Sequence, residues 1–220
     1  MPSSTVEDYI KRLYSEQQHS SGDLVPMGRL AEAMAVVPGT VTTMIKALAD
    51  SGLVDYEPRA GVKLTPGGER LALHVLRRHR LVELFLVRTL GLDWSEVHAE
   101  AEELEHAISE KVLDRIDALL GYPAADPHGS PIPNAHGEVA SDHTLALADC
   151  DAGRSYKIAR VADAESRFLQ FAEKKGLVPG AVVRIESRDE NADSVVLSCR
   201  GRGITTLGSS AARKIFVVPK

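Results

Sequence analysis

The stretch PMGRLAEAMAVVPGTVTTMIKALADSGLVDYEPRAGVKLTP, residues 26–66, decides the fold. After Pro26, the residues Leu30, Ala31 and Met34 recur at helical spacing, and Val36-Val37-Pro38-Gly39 breaks the run. A second helix carries Val41, Ile45 and Leu48 on one face as far as Gly52. Leu53 to Tyr56 and Gly61 to Leu64 read as two strands joined by the turn Glu57-Pro58-Arg59-Ala60. Two short helices around a tight turn, followed by a hairpin, form a winged helix–turn–helix, a pattern that places a helix in a DNA groove. A generic α/β interaction module is the other reading of the same pattern.

Working outward, Thr5 is the expected cap of a first helix bearing Tyr9, Ile10, Leu13 and Tyr14. Asp8 then falls where an acid closes a capping box, so its position alone assigns it no other role. On the other side, Thr65-Pro66 opens a long helix to about Leu90, with Thr as cap and Pro at the favoured first position. Ser95 is the expected cap of a second long helix to Gly121, whose stripe is Val97, Ala101, Leu104, Ile108, Val112, Ile116 and Leu119. One helical pair cannot cover both apolar stripes, so this region is expected to form a homodimer. Residues 122–146 are rich in proline and small residues and read as a linker. Beyond Leu147 the pattern is β-rich, with five strand candidates (156–161, 181–186, 194–198, 204–207 and 214–218) and one helix near Glu165–Lys175.

The expected fold class is therefore mainly α with a β-rich C-terminal domain. Residues 1–66 form the winged helix–turn–helix and 67–122 a helical dimerisation domain. Residues 123–146 form a linker and 147–220 a small barrel.

Composition narrows the class. The 44% hydrophobic and 26% charged content of the 220 residues is that of a soluble globular protein. No apolar run approaches the roughly 18–20 residues that span a bilayer, and no signal-peptide layout opens the chain, so a cytoplasmic protein without membrane contact is expected. Two cysteines, Cys150 and Cys199, argue against a disulfide framework or a cysteine-based zinc site. The formal charge of −5 runs against the basic excess usual in nucleic-acid binders, and any DNA-binding reading must account for it.

The densest polar constellation lies on the two long helices. His98, Glu102, Glu105 and His106 share one face, bordering the apolar stripe. His79 and Glu83 are likewise i, i+4, and His79 interrupts the apolar row of Val75, Val82 and Leu86. So many carboxylates and imidazoles at a core boundary are costly unless they pair or hold a cation. An ion-paired helix interface is the plainer alternative for each residue taken singly. Imidazole and carboxylate donors without sulfur suit manganese, iron(II) or zinc rather than copper(I). The sequence contains no HExxH motif, nucleophile elbow, P-loop or dinucleotide-binding glycine loop, which disfavours an enzyme.

Several stretches resemble the diphtheria toxin repressor family. They are Asp8-Tyr9-Ile10, Arg77-Arg78-His79-Arg80-Leu81-Val82-Glu83, Val97 to His106, and the linker Asp126-Pro127-His128-Gly129-Ser130-Pro131-Ile132-Pro133. The C-terminal part, with Gly176-Leu177-Val178-Pro179-Gly180, is similar to the FeoA-like, SH3-like barrel of many members. The resemblance implies a metal-activated repressor with two metal sites per subunit. Asp8, Glu102, Glu105 and His106 would form the primary site. His79, Glu83 and His98 would form the second, completed by Asp126, His128 and Asp163. Iron-responsive members place Met and Cys where this chain has Asp8 and Glu102, so hard ligation resembles the manganese branch. Small manganese regulators carry a glutamate at the position of Lys11, so their closely spaced two-metal cluster is not expected here, and separated primary and ancillary sites are.

The implied mechanism also accounts for the charge. Clustered acids repel phosphate until cations cancel them. A ligand set drawn from both the DNA-binding and the dimer regions would fix the recognition helices about 34 Å apart, one DNA turn. The expected partner is a double-stranded DNA operator, an inverted repeat. The expected contacts are Pro38, Gly39, Thr40, Thr42, Thr43 and Lys46, with Arg59 and Lys63 from the wing. Manganese(II) is the expected co-repressor, with iron(II), zinc(II) and cobalt(II) as alternatives. An iron(II)-dependent regulator of the same family is the runner-up. A metal-dependent enzyme or metal-buffering protein is the alternative outside it.

Overall fold

The computed structural model describes residues 3–18, 24–140, 143–162, 165–199 and 201–220. The chain divides into two compact units, one of Met1–Arg78 with Pro133–Glu138, the other of His79–Ile132 with Val139–Lys220.

The first unit opens with α1 (Ser4–Gln18). Ser3, not Thr5, starts it: the Ser3 carbonyl accepts from the Glu7 N–H at 3.1 Å and its hydroxyl from Val6 at 3.4 Å. Asp8 therefore lies beyond the first turn and closes no capping box. Helices α2 (Met27–Ala33) and α3 (Pro38–Asp50) follow, with Pro38 at the start of α3, where its missing N–H costs nothing. Strands β1 (Val54–Glu57) and β2 (Gly61–Leu64) pair antiparallel from Val54 opposite Leu64 to Glu57 opposite Gly61. Val25 adds a bridge to Val62 on the other side of β2. Gly61 sits at φ +149°, where a Cβ would meet the Val25 carbonyl at 2.6 Å, so only glycine lets the wing close against residue 25. Ile10, Leu13, Val25, Leu30, Val41, Ile45 and Val62 are fully buried and form one core.

Helix α4 (Pro66–Leu90) is capped by Thr65, whose hydroxyl accepts from Gly68 at 3.1 Å, and it runs through both units. In the second unit the single helix expected from Ser95 to Gly121 is two, α5 (Val97–Glu105) and α6 (Glu110–Leu119). Ser109 is responsible. It leaves helical geometry at ψ 154° and accepts from the Val112 N–H, so a cap interrupts a stripe whose apolar periodicity runs on. Ser95 caps nothing; its hydroxyl and N–H both donate to Asp93 Oδ1, at 2.6 and 2.8 Å. The stripe divides accordingly. Val97 and Ala101 pack with Val82 and Leu86, while Leu113 and Ile116 pack with Leu81, Leu84 and Ile132. Leu104, Val112 and Leu119 stay exposed.

Among the described residues, the C-terminal part is an antiparallel sheet of six strands rather than five, in the order β3-β8-β4-β5-β6-β7. The strands are β3 (Leu145–Ala146), β4 (Ser155–Val161), β5 (Val182–Asp189), β6 (Ser194–Cys199), β7 (Gly203–Gly208) and β8 (Ile215–Pro219). The extra strand, β3, lies in the segment read as linker; two residues are too few to show a period. Register shifts at Ile158/Arg160 and Ile185/Ser187 break the ladders, as bulges that curl a sheet do. Helices α7 (Ser166–Lys175) and α8 (Ser209–Ala212) complete this part, with Leu169, Ala172 and Ala212 in its core.

A candidate metal centre on the second half of α4 and on α5

The second half of α4 brings His79 and Glu83 to one face, one turn apart, and both are buried. From α5, His98 meets them. His79 Nε2 is 3.0 Å from Glu83 Oε1 and 3.1 Å from His98 Nδ1, and His98 Nδ1 is 3.2 Å from the same Glu83 oxygen. Cis donors around a cation with bonds of about 2.1–2.2 Å stand about 3.0–3.1 Å apart, so this triangle has the dimensions of a metal face.

The other ring nitrogen of His79, Nδ1, lies 2.6 Å from Glu105 Oε2 and 3.7 Å from Glu102 Oε1. Glu105 is fully buried, and its second oxygen lies 3.6 Å from His106 Nε2. Glu102 and His98 are half-buried, with 3.5 Å between His98 Nε2 and Glu102 Oε1.

The segment after α6 adds two more donors. Asp126 Oδ1 accepts from the N–H groups of His128 (2.8 Å) and Ser130 (2.9 Å), which folds residues 126–130 into a tight turn. The His128 carbonyl accepts from Val161 at 2.9 Å, tying this turn to the end of β4. Gly129, at φ +88°, would place a Cβ 2.1 Å from the Ala159 carbonyl, so the approach demands glycine. His128 Nε2 lies 2.7 Å from the Trp94 carbonyl, and the two rings are tilted against each other at 5.4 Å. His128 Nδ1 faces Glu83 Oε2 at 3.8 Å. Trp94 itself packs against the core of the C-terminal sheet.

Electrostatics follow this geometry. Burial alone pushes the Glu83 carboxyl up. The charge of His79, hydrogen bonds from His79 and His98, and the charge of His128 outweigh it and hold the group well below the usual carboxylate range. Burial, then the charge of Glu83, raises Asp126, against the opposing charges of Arg80 and His128. Arg80 Nε stands 3.7 Å from Asp126 Oδ2, and Arg80 also donates to the Pro131 carbonyl. Among the described residues, donor atoms within 4.8 Å of one another bring together His79–Glu83–His98, His79–Glu102–Glu105 and Glu83–Asp126–His128. The imidazole and carboxylate donors, brought together in a buried to half-buried space, fit a divalent cation.

Of the other expected residues, Asp8 lies half-buried on α1 and Asp163 lies outside the described residues. Pro38, Gly39, Thr40, Thr43, Lys46 and Arg59 are exposed; Thr42 and Lys63 are half-buried. The hydroxyls of Thr42 and Thr43 donate to the carbonyls of Pro38 and Gly39, at 2.9 and 3.0 Å, so their protons are engaged within the helix. Sequence reasoning passed over Val37, the residue before α3, which is 68% exposed beside them. It also missed the buried pair of Arg78 with Glu7, 3.1 Å apart, although both arginines of Arg77-Arg78 were in view. Nothing local marks a partner 71 residues away.

A winged helix–turn–helix joined to a buried histidine–carboxylate cluster defines a metal-dependent DNA-binding regulator. Residues 1–62 match the iron dependent repressor N-terminal DNA binding domain. Residues 65–134 match the iron dependent repressor metal binding and dimerisation domain, and 145–219 the FeoA domain. A solved manganese-dependent transcriptional repressor in complex with manganese superimposes with a TM-score of 0.91 at 40% identity, covering 98% of this chain and 100% of that one. The HTH-type transcriptional regulator MntR of Lysinibacillus sphaericus is 35% identical over 120 residues, 54% of this chain and 84% of that protein. The iron-dependent repressor IdeR of Mycobacterium leprae is 29% identical over 223 residues, 98% of this chain and 89% of that protein. The chain belongs to the diphtheria toxin repressor family of metal-dependent transcriptional repressors. Its class is that of DNA-binding, dimer-forming regulators, not enzymes. Among the described residues, no helix is long and apolar enough to cross a membrane.

Proposed function

We propose that this chain is a cytoplasmic repressor for which manganese(II) is the co-repressor, acting on an inverted-repeat operator. The observation that carries the reading is the triangle of buried His79 and Glu83 with half-buried His98, donors without sulfur at metal-face spacing. Asp8, Glu102, Glu105 and His106 form the primary site. His79, Glu83 and His98, with Asp126, His128 and Asp163, form the second. A bound cation supplies the positive charge that these acids lack. Asp8 belongs to the first helix and the other primary ligands to α5 and its end, so ligation sets the orientation of each recognition helix about the dimer axis. Moving a population from 1:99 to 99:1 takes about 5.5 kcal/mol. One site at about 100 times its dissociation constant provides about 2.7 kcal/mol, so two sites per dimer suffice.

Pro38, Gly39, Thr40, Thr42, Thr43 and Lys46, with Arg59 and Lys63, meet the DNA. The residues at the start of α3 include no arginine or asparagine, so recognition leans on methyl contacts and DNA shape. The relatives include an iron-dependent repressor as well as manganese regulators. The carboxylates Asp8 and Glu102, hard donors without sulfur, favour manganese over iron(II), zinc(II) and cobalt(II) at the primary site. The test is operator binding by metal-stripped protein titrated separately with each metal, for the wild type and Asp8→Met. Manganese should switch the wild type on, and Asp8→Met should shift the response toward iron(II). Equal operator binding by stripped protein would sink the co-repressor reading.

A further inference from the structure

We propose that Glu83 bridges two cations, so that the residues grouped above as one second site hold a pair. This rests on the metal-dependent reading and deepens it. The two oxygens of the Glu83 carboxylate serve different donors. Oε1 completes the triangle with His79 Nε2 and His98 Nδ1 at 3.0 and 3.2 Å. Oε2 faces away to His128 Nδ1 at 3.8 Å, and Glu83, Asp126 and His128 form a second buried set of donors. The triangle is closed on itself at 3.0–3.2 Å and fits one cation without His128 or Asp126. The second set shares only Glu83 with it. A carboxylate with each oxygen committed to a separate donor set is how proteins hold two cations about 3.5–4 Å apart.

The hydrogen bonds behind the ligands agree. A carbonyl can only accept, so the 2.7 Å contact with Trp94 puts a proton of His128 on Nε2 and leaves Nδ1, which faces Glu83, as the nitrogen to ligate. The buried Glu105 carboxylate does the same for His79 at 2.6 Å: it holds a proton on Nδ1, so Nε2, hydrogen-bonded to Glu83 without metal, is the nitrogen that would give up its proton to ligate. Two imidazoles are thus anchored from behind on opposite sides of one carboxylate. Asp126 is held by two backbone N–H groups on Oδ1, with Oδ2 turned toward Arg80. Arg80 moderates the negative charge of the second set.

The test uses full-length, metal-stripped protein loaded with manganese(II), with bound metal counted after dialysis and low-temperature electron paramagnetic resonance recorded on the same samples. The expected count is about three per protomer, with a spectrum that shows spin coupling between two of them. His98→Ala and His128→Gln should each remove one ion and abolish the coupling. Glu83→Gln should remove two. Asp8→Ala should lower the count by one and keep the coupled spectrum, which separates this proposal from the primary-site reading. His98 is half-buried, so its variant spares the core even where a change at Glu83 unsettles folding. A wild-type count of about two with an uncoupled spectrum, or a coupled spectrum that survives His128→Gln, overturns the bridge.

Discussion

Glu7 in the DNA-binding unit and Glu83 in the second unit are equally buried, 4% and 3% exposed, yet they are satisfied in opposite ways. Glu7 meets the guanidinium of Arg78 at 3.1 Å, a cation that cannot leave and cannot lose its proton. Glu83 meets His79, His98 and His128, and among the described residues no arginine or lysine pairs with it. One carboxylate is neutralised by the chain itself. The other is surrounded by imidazoles, side chains that ligate metals once a proton is given up. Two neighbouring residues of α4, Arg78 and His79, thus mark the change from a permanently charged partner to an imidazole, which can ligate a metal.

The comparison can be broken in four ways. Without metal the largest effect belongs to the permanent pair: Arg78→Met leaves Glu7 buried without the guanidinium that faces it and should cost about 3–5 kcal/mol. Denaturant unfolding should show this cost equally with and without manganese; a cost that appears only in loaded protein would erase the distinction. Next, Glu83→Gln should cost the metal-free protein part of the stability that the histidine partners of the carboxylate provide. It should remove most of the stabilisation that manganese provides, about 2.7 kcal/mol for each lost site at 100 times its dissociation constant. Thermal melts with and without chelator read the difference, and an unchanged manganese response would show that Glu83 is a structural acid after all. Gly129→Ala forces a Cβ onto the Ala159 carbonyl from a left-handed backbone and should cost about 1–3 kcal/mol. It should also weaken manganese binding through His128; a stability loss with unaltered binding would detach the turn from the site. The smallest effect is in the recognition region. Lys46→Ala should flatten the salt dependence of operator affinity by about one unit of slope and leave metal binding untouched, as a phosphate contact would.

The DNA-binding unit was legible because its information is local. Pro26, Pro38, Gly52 and Pro66 punctuate elements whose apolar residues repeat at helix or strand spacing, and the structure places α2, α3, β1 and β2 between those marks. Errors arose where a cap competed with a period. The stripe from Val97 to Leu119 runs unbroken in sequence, and Ser109 divides it by a single hydrogen bond. Thr5 lost the first cap to Ser3 and Ser95 was engaged by Asp93, because each serine or threonine offers the same chemistry and geometry alone chooses. In the candidate centre, His79 with Glu83 and His98 with Glu102 were legible as i, i+4 pairs. The approach of His98 to Glu83, and of His128 to Trp94, joins residues separated by 15 and 34 positions, which no periodicity records.

Trp94 is the only tryptophan in the chain, and its ring lies against His128 while its body packs on the sheet core. All tryptophan emission of the protein therefore comes from one place, beside an imidazole that faces Glu83. The chain carries a native optical probe at the junction of the candidate centre and the barrel. Its intensity and lifetime can follow that junction in solution without a label.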